Sequence, residues 1–372
     1  MTFVLGRMLY EDRYKLILTA CQDIRRHREQ LAKPELASQL LQSLDRDVPS
    51  DALLSHIVAE SLLRRIDCTL LSGRNLYLQP EQRSQIDLFD LLRRAIPAVP
   101  QGYAVANQYQ LHSLRAARTP ALLEIGIGKG AQVLALLEAL ARKPGAVERL
   151  RILALDPNVT VLEESTAAIR AVAPRLPFAV EVLPLAKLVE NCDDDDFARF
   201  SGLGEGALTI NAAFTLHHTV RRDSESRTRL LSRLRSLRPK VFTLVEPNSD
   251  HDTEHLTRRM HHCWQHFAAI FDLVDHSDAS PDEKFAIKEG FFGREVRDIL
   301  GTCDALRSER HEPLESWLLR LKKAGFVPHE KIDIDFELPD YCEAINSRGL
   351  VRLSYRGVPI VAVFAYAGSE AE

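Results

Sequence analysis

The chain has no C-x-x-C pair among its six cysteines, no apolar run of membrane-spanning length and no excess of basic charge. Each absence removes a class of protein. Cys21, Cys68, Cys192, Cys263, Cys303 and Cys342 stand singly, which is not the spacing of a zinc ribbon or a redox pair; reduced thiols in a cytoplasmic protein are expected. The opening MTFVLGRMLYEDRYK is too polar for a secretory signal. No later segment approaches the roughly 20 apolar residues of a transmembrane helix, so no membrane partner is expected. A net charge of -4 with a pI near 6.4 argues against a general nucleic-acid binder. The arginine pairs Arg221–Arg222 and Arg258–Arg259 are therefore expected to be solvated helix faces. No internal repeat is evident, and the acid run 193-DDDD-196 reads as a solvated loop. What remains, at 45% hydrophobic and 27% charged residues, is an ordinary globular composition in a chain longer than one compact domain usually needs.

The most informative stretch present is 122-LLEIGIGKGAQVLALLEAL-140. It reads as a buried strand, a glycine turn and an amphipathic helix. Glycines let the backbone pass close to a ligand, and the free helix N-terminus faces whatever binds. The order E-x-G-x-G-x-G, from Glu124 through Gly126, Gly128 and Gly130, is the loop of class I S-adenosylmethionine-dependent methyltransferases rather than the dinucleotide G-x-G-x-x-G. A tight turn with no ligand is the plainer reading, and the strand pattern downstream weighs against it. The run 150-LRILALDPN-158 reads as a second strand, with Asp156 at its tip able to accept both ribose hydroxyls or to cap the next helix. Further strands are expected at 178–184, at 207–218 together with its exit loop, and at 241–248, then at 331–339 and 350–368, the last two too close for a crossover helix and so antiparallel.

The expected architecture is α/β: a Rossmann-like seven-stranded class I methyltransferase core, its last strand antiparallel, with a mostly helical cap. Residues 1–100 form an N-terminal helical cap, with Pro97 and Pro100 breaking the chain. Residues 101–248 form the first part of the core, 249–311 a helical insert contributing to the cap, and 312–372 the C-terminal part of the core. The cap segments are expected over the carboxyl ends of the strands. Most of the insert's aromatics, Trp264, Phe267, Phe271, Phe285, Phe291 and Phe292, are expected to pack the cap itself, with any remainder lining a ligand cavity.

Several runs resemble the GRAS family, known mainly as plant transcriptional regulators. They are 234-LRSLRPKVFTLVEPNSDHDTEHLTRRMHHCWQHFAAIFDLVD-275 and 290-GFFGREVRDILGTCDALRSERHEPLESWLLRLKKAGF-326, with Phe292-Gly293-Arg294-Glu295, Arg310-His311-Glu312 and Trp317 as signature elements. The segment 106-ANQYQLHSL-114 and Leu216-His217-His218 match two more family elements. The terminal run 350–368 has no tryptophan, unlike plant members. Plant members typically read V-H-I-I-D at the first strand and lack most of the glycines, whereas Leu122-Leu123-Glu124-Ile125-Gly126 here leads into a complete glycine series. The chain thus resembles a bacterial-type GRAS protein, a group whose resemblance implies methylation of small molecules.

The function expected on this basis is methyl transfer from S-adenosylmethionine to a hydroxyl or carboxylate of a small, enclosed acceptor. The enzyme would chiefly hold nucleophile and methyl together, aided by a base. Cofactor contacts are expected from Tyr103, Asn107, Glu124, Gly126, Gly128, Gly130, Asp156 and Asn211. His217, His218 and His251 are the candidate bases, although each is more simply a packing histidine. Glu246, Arg294 and Arg310 are candidate acceptor contacts, with an internal ion-pair network as the plainer reading of the arginines. The alternative is a non-catalytic, small-molecule-binding or regulatory protein on the same fold. A metallohydrolase is the second alternative, because 251-HDTEH-255 is formally H-x-x-E-H and His262 and His266 stand at i, i+4; thirteen histidines make such spacings common by chance, and no metal is expected. Oligomeric state is open, a homodimer being one option.

Overall fold

The computed structural model describes residues 2–66, 85–203, 207–219 and 223–368; Cys68 and the pair Arg221–Arg222 lie outside them. The early helical periodicity gives α1 (Thr2–Arg25), α2 (Glu29–Ala37), α3 (Ser50–Ile66) and α4 (Gln85–Ala95). The break at Pro97 and Pro100 is shorter than two prolines imply. α5 (Ala98–Leu114) starts straight after Pro97 and holds Pro100 in its first turn, where a missing N–H leaves no helical bond unmade.

From there strands and helices alternate: β1 (Ala121–Ile125), α6 (Ala131–Arg142), β2 (Arg149–Leu155), α7 (Val159–Val172), β3 (Ala179–Leu185), α8 (Asp194–Ser201), β4 (Leu208–Ala213), α9 (Ser226–Ser236) and β5 (Val241–Pro247). α10 (Leu256–Asp275), α11 (Pro281–Phe285), α12 (Gly293–Val296) and α13 (Leu314–Lys323) come next, then β6 (Val327–Pro328), β7 (Cys342–Ser347), β8 (Leu350–Tyr355) and β9 (Val358–Ala367).

The strands form one sheet in the order β3-β2-β1-β4-β5-β9-β8-β7, with β6 also on β9. β1 to β5 are parallel and β9 is antiparallel to β5. The fold is thus mixed α/β, but the sheet has nine strands rather than the expected seven. The run 350–368 is not one strand. Arg356 and Gly357 take φ of 46° and 79°, a two-residue reversal that folds it into the β8–β9 hairpin. Residues 331–339 alternate like a strand but pair with none; the Glu337 N–H donates instead to Gln101 Oε1 at 3.0 Å.

The chain divides into two units. The sheet unit comprises Ala98–Pro247, Pro313–Ser354 and Val361–Glu372. One core layer joins Leu122, Ile152 and Ala154 to Leu136, Leu140 and Ile169 of α6 and α7. The other joins Leu123, Ile210 and Phe364 to Leu231 of α9 and Trp317 of α13. The acid run is not a solvated loop. Asp193 and Asp196 form a reciprocal capping box at the start of α8, where carboxylates favourably meet the helix dipole, and Asp196 is buried against Lys187.

The helical unit comprises Met1–Pro97, Asn248–Glu312 and Tyr355–Ile360. Leu54, Ile57 and Leu62 of α3 share its buried core with Phe267 and Phe271 of α10 and with Ile299 and Leu300. The flanks of α12, Ala286–Phe292 and Arg297–Gly301, are π-helical. Phe292 packs against both Phe267 and Phe291 inside this unit. Arg258 and Arg259 do not share a solvated face: adjacent helical residues point about 100° apart, so Arg258 is exposed while Arg259 is fully buried. No helix of the described residues is long and apolar enough to cross a membrane.

Candidate functional site

The glycine loop belongs wholly to the sheet unit. Gly126, Gly128 and Gly130 take φ of 75°, 51° and 75°, a region that residues with a Cβ avoid. Their surroundings differ. A Cβ on Gly126 would lie 2.3 Å from Thr215 Oγ1 beyond β4, and one on Gly130 would lie 3.3 Å from Ser165 Cβ of α7. One on Gly128 would meet nothing within 4 Å. Gly126 and Gly130 therefore serve close packing, while Gly128 borders open space. Gly130 is also the N-cap of α6, and no side chain caps that helix.

Asp156 follows β2 and faces this loop. Its Oδ2 accepts from the Gly128 N–H at 3.0 Å and its Oδ1 from the Asn158 N–H at 2.9 Å. Burial pushes its carboxyl up, against these two bonds. The cap of α7 is Asn158, whose side chain accepts from Val161 N–H, so Asp156 is not needed as a helix cap.

Glu124 is the polar residue within β1 and is buried. Its Oε1 accepts from Asn211 Nδ2 at 2.8 Å. The Asn211 carbonyl accepts from Thr243 Oγ1 at 2.6 Å, which in turn accepts from Gln110 Nε2 at 2.7 Å. The network thus runs from β1 through β4 and β5 to α5. Burial pushes the Glu124 carboxyl up to about 8, although the Asn211 bond opposes this. A carboxyl raised above its unfolded value of about 4.3 stabilises the fold fully below that value and loses the contribution as pH rises through its folded pKa. Stability against urea is therefore expected to fall between about pH 5 and about 8. Glu124→Gln should fall less over the same window; an unchanged slope would show that Glu124 does not carry this proton.

Asn107 is buried and ties α5 to the start of α6. Its Nδ2 donates to the Gln132 carbonyl at 3.1 Å and its Oδ1 accepts from Gln132 Nε2 at 3.2 Å. Tyr103, one turn earlier, packs edge-on against Phe214, which takes a φ of 52° at the β4 exit. The expected cofactor residues thus fall on three neighbouring strands and on α5. Sequence reasoning missed Thr215, Ser165, Thr243 and Gln110; polar residues in otherwise apolar runs such as 241-VFTLVEP-247 were the available signal.

The candidate bases belong to both units, His217 and His218 to the sheet unit and His251 to the helical unit. His217 is buried, and its Nδ1 lies 2.5 Å from Glu246 Oε2. Glu246 Oε1 accepts from the Leu216 N–H at 2.8 Å, and burial pushes this carboxyl up to about 8. The buried guanidinium of Arg227 donates to the His217 carbonyl. Glu246 therefore clamps the turn after β4 from within the core, and the His218 ring packs 3.8 Å from that of His217.

His251 belongs to the helical unit. It is fully buried, with Nε2 on Ser249 Oγ and Nδ1 on His311 Nδ1, each at 2.9 Å. Burial, then His311 and His266, hold its pKa well below the usual histidine value. Glu254 is exposed, and the His255 side chain caps α10. The H-x-x-E-H residues thus lie in three different environments, which corrects the metallohydrolase reading. The nearest donor set in this unit is a different one: Glu295, Glu309 and His311 offer atoms within 4.8 Å of one another. Of the two arginines, Arg294 is half-buried in α12 and Arg310 pairs with Asp252 at 3.0 Å.

Known proteins resemble this chain over most of its length. Chitin-inducible gibberellin-responsive protein 1 of Oryza sativa subsp. japonica is 26% identical over 69% of this chain and 47% of its own length. Scarecrow-like transcription factor PAT1 of Arabidopsis thaliana is 26% identical over 84% of this chain and 71% of its own. DELLA protein RGL3 of Arabidopsis thaliana is 25% identical, with 73% and 51% covered. The match with the first of these spans about half of that relative. The crystal structure of SCL7 from Oryza sativa aligns at a TM-score of 0.75 and 23% identity, covering 90% of this chain and 93% of that one, which speaks for the fold. One of these relatives is named a transcription factor, and none of the three is named as an enzyme. The expectation of a methyltransferase, drawn from the glycine loop, is thereby overturned: a loop that can hold a ligand does not establish a reaction. The described elements carry the shared fold, and with residues 15–333 matching the family's sequence profile, the chain belongs to the GRAS domain family.

Proposed function

We propose that this chain is a non-catalytic regulator that binds an adenosine-type ligand, S-adenosylmethionine or S-adenosylhomocysteine, at the glycine loop of its sheet unit and reads it rather than consumes it. The observation that carries the reading is Gly128. Its left-handed backbone borders open space, and its N–H is held by Asp156, whose oxygens keep further lone pairs for ribose hydroxyls. The regulatory half of the reading comes from the relatives, one of which is named a transcription factor. By analogy with that relative, this chain would act in regulation rather than in catalysis.

Glu124 supplies a direct test. A ligand ammonium brought near it would favour the carboxylate over the acid that burial favours. Binding at pH 7 is expected to be micromolar, roughly -8 kcal/mol, and to release close to one proton per ligand. Calorimetric titration with S-adenosylhomocysteine in two buffers of different ionisation heat reads both. Gly128→Val should abolish binding while far-ultraviolet circular dichroism stays native. No heat from the native chain at millimolar ligand, or unchanged affinity in the valine variant, would remove the reading.

A further inference from the structure

Four guanidiniums converge on the loop Thr302–Arg307 of the helical unit. Asp304 accepts from Arg259 Nη1 through Oδ1 and from Arg65 Nη2 through Oδ2 at 3.2 Å. Arg307 Nε lies 3.3 Å from the same Oδ1, and Arg310 Nη2 donates to the Asp304 carbonyl. The side chains of Arg259 and Arg307 are 0% exposed, whereas that of Asp304 is 39% exposed. Asp304 therefore stands between solvent and two buried cations.

The acceptors present do not match the donors. Arg259 Nε and Nη2 and Arg307 Nη2 are buried and meet no acceptor among the described residues. Charge is mismatched as well. Arg65, Arg259 and Arg307 share the single carboxylate of Asp304, while Arg310 pairs with Asp252. Asp298 also faces Arg307 and Arg310, but it is engaged by the N–H groups of Ser308 and Glu309, and burial pushes it up to about 6. Glu254 acts on Arg310 only from an exposed position. Burial, then the charges of Arg259 and Arg310, pull the Arg307 guanidinium down to about 9.

We propose that this arginine cluster is a binding site for a tetrahedral oxyanion, a phosphate or phosphate monoester, and that the Asp304 carboxylate occupies it in the ligand-free protein as an internal substitute. A carboxylate offers two oxygens in one plane. A phosphate offers three or more around a tetrahedron and a second negative charge. It can engage the unmet edges of Arg259 and Arg307 while Arg65 closes the exposed side, the bidentate geometry that guanidinium favours. Binding moves Asp304 outward into solvent. The site lies in the helical unit, apart from the glycine loop, and stands or falls independently of the ligand proposed there.

The test uses the full chain and inorganic phosphate, titrated at constant ionic strength against chloride, with thermal unfolding and calorimetry as readouts. Asp304→Asn removes the competing charge and should bind phosphate at least about tenfold more tightly than the native chain. Arg65→Gln, at the partly exposed edge, should weaken phosphate by about fivefold with the fold intact. Phosphoserine and acetate run alongside: a phosphate-type site takes the first as well as inorganic phosphate and takes acetate weakly. Phosphate binding no tighter in Asp304→Asn than in the native chain, an equal response to chloride, or unchanged affinity in Arg65→Gln would each overturn the proposal.

Discussion

Gly126→Ala is expected to destabilise the sheet unit by about 2–5 kcal/mol, whereas Gly128→Ala, two residues on, should cost only about 1–2 kcal/mol. Both positions have positive φ, so both variants carry the left-handed penalty of about 1–2 kcal/mol. They differ in what a methyl group would meet. At Gly126 it would collide with Thr215, Oγ1 at 2.3 Å and Cγ2 at 2.8 Å, and relief requires the turn after β4 to move. At Gly128 it would enter open space. Urea unfolding midpoints of the two variants measure the difference directly. Equal losses would mean that the loop is not packed on Thr215. The contrast separates two uses of glycine within one motif, close approach to neighbouring chain and a left-handed turn beside open space.

A comparably large effect is expected at Glu246. Glu246→Ala should cost about 3–5 kcal/mol, because it leaves the Leu216 N–H and the His217 ring without their partner in a fully buried site and opens a cavity there. Glu246→Gln should cost less than about 1.5 kcal/mol. Burial pushes the Glu246 carboxyl up to about 8, and in its protonated form Oε1 would accept from Leu216 while Oε2–H would donate to His217 Nδ1. Glutamine reproduces both roles with its carbonyl and its amide N–H. Denaturant titrations of the two variants at pH 7 decide the matter. If glutamine is as damaging as alanine, the native pair is an ionised carboxylate and imidazolium instead.

How much of this could be read in the sequence depends on the range of the interactions involved. The β1–α6 turn was legible because strand, glycines and helix are adjacent and each glycine conformation is a local matter. Asp156 was legible for the same reason, as the residue ending an apolar strand. The nine-stranded sheet was not, because the apolar run 350–368 hides its reversal in Arg356-Gly357, and an arginine with positive φ carries no signal of its own. The alternation of 331–339 promised a strand, but no partner strand lies beside it. The burial of Arg259 and the capping role of the acid run depend on partners elsewhere in the fold or on helix geometry. Function was least legible: a glycine loop specifies how closely a ligand approaches, not whether the ligand reacts.

The division into two units has a consequence for how the protein is made. The chain passes between the units after Pro97, Pro247, Glu312, Ser354 and Ile360, so neither unit is a continuous stretch. As the ribosome extends the chain at about 5–20 residues per second, the first four helices emerge early, yet their unit still waits for Asn248–Glu312 and finally for Tyr355–Ile360. The β5 edge of the sheet likewise waits for β9, which follows it in the chain only after the whole Asn248–Glu312 segment and α13. A nascent chain arrested before residue 355 would therefore expose the open faces of both units together. Truncation before residue 355 should thus yield aggregation or degradation of both units rather than one surviving folded half.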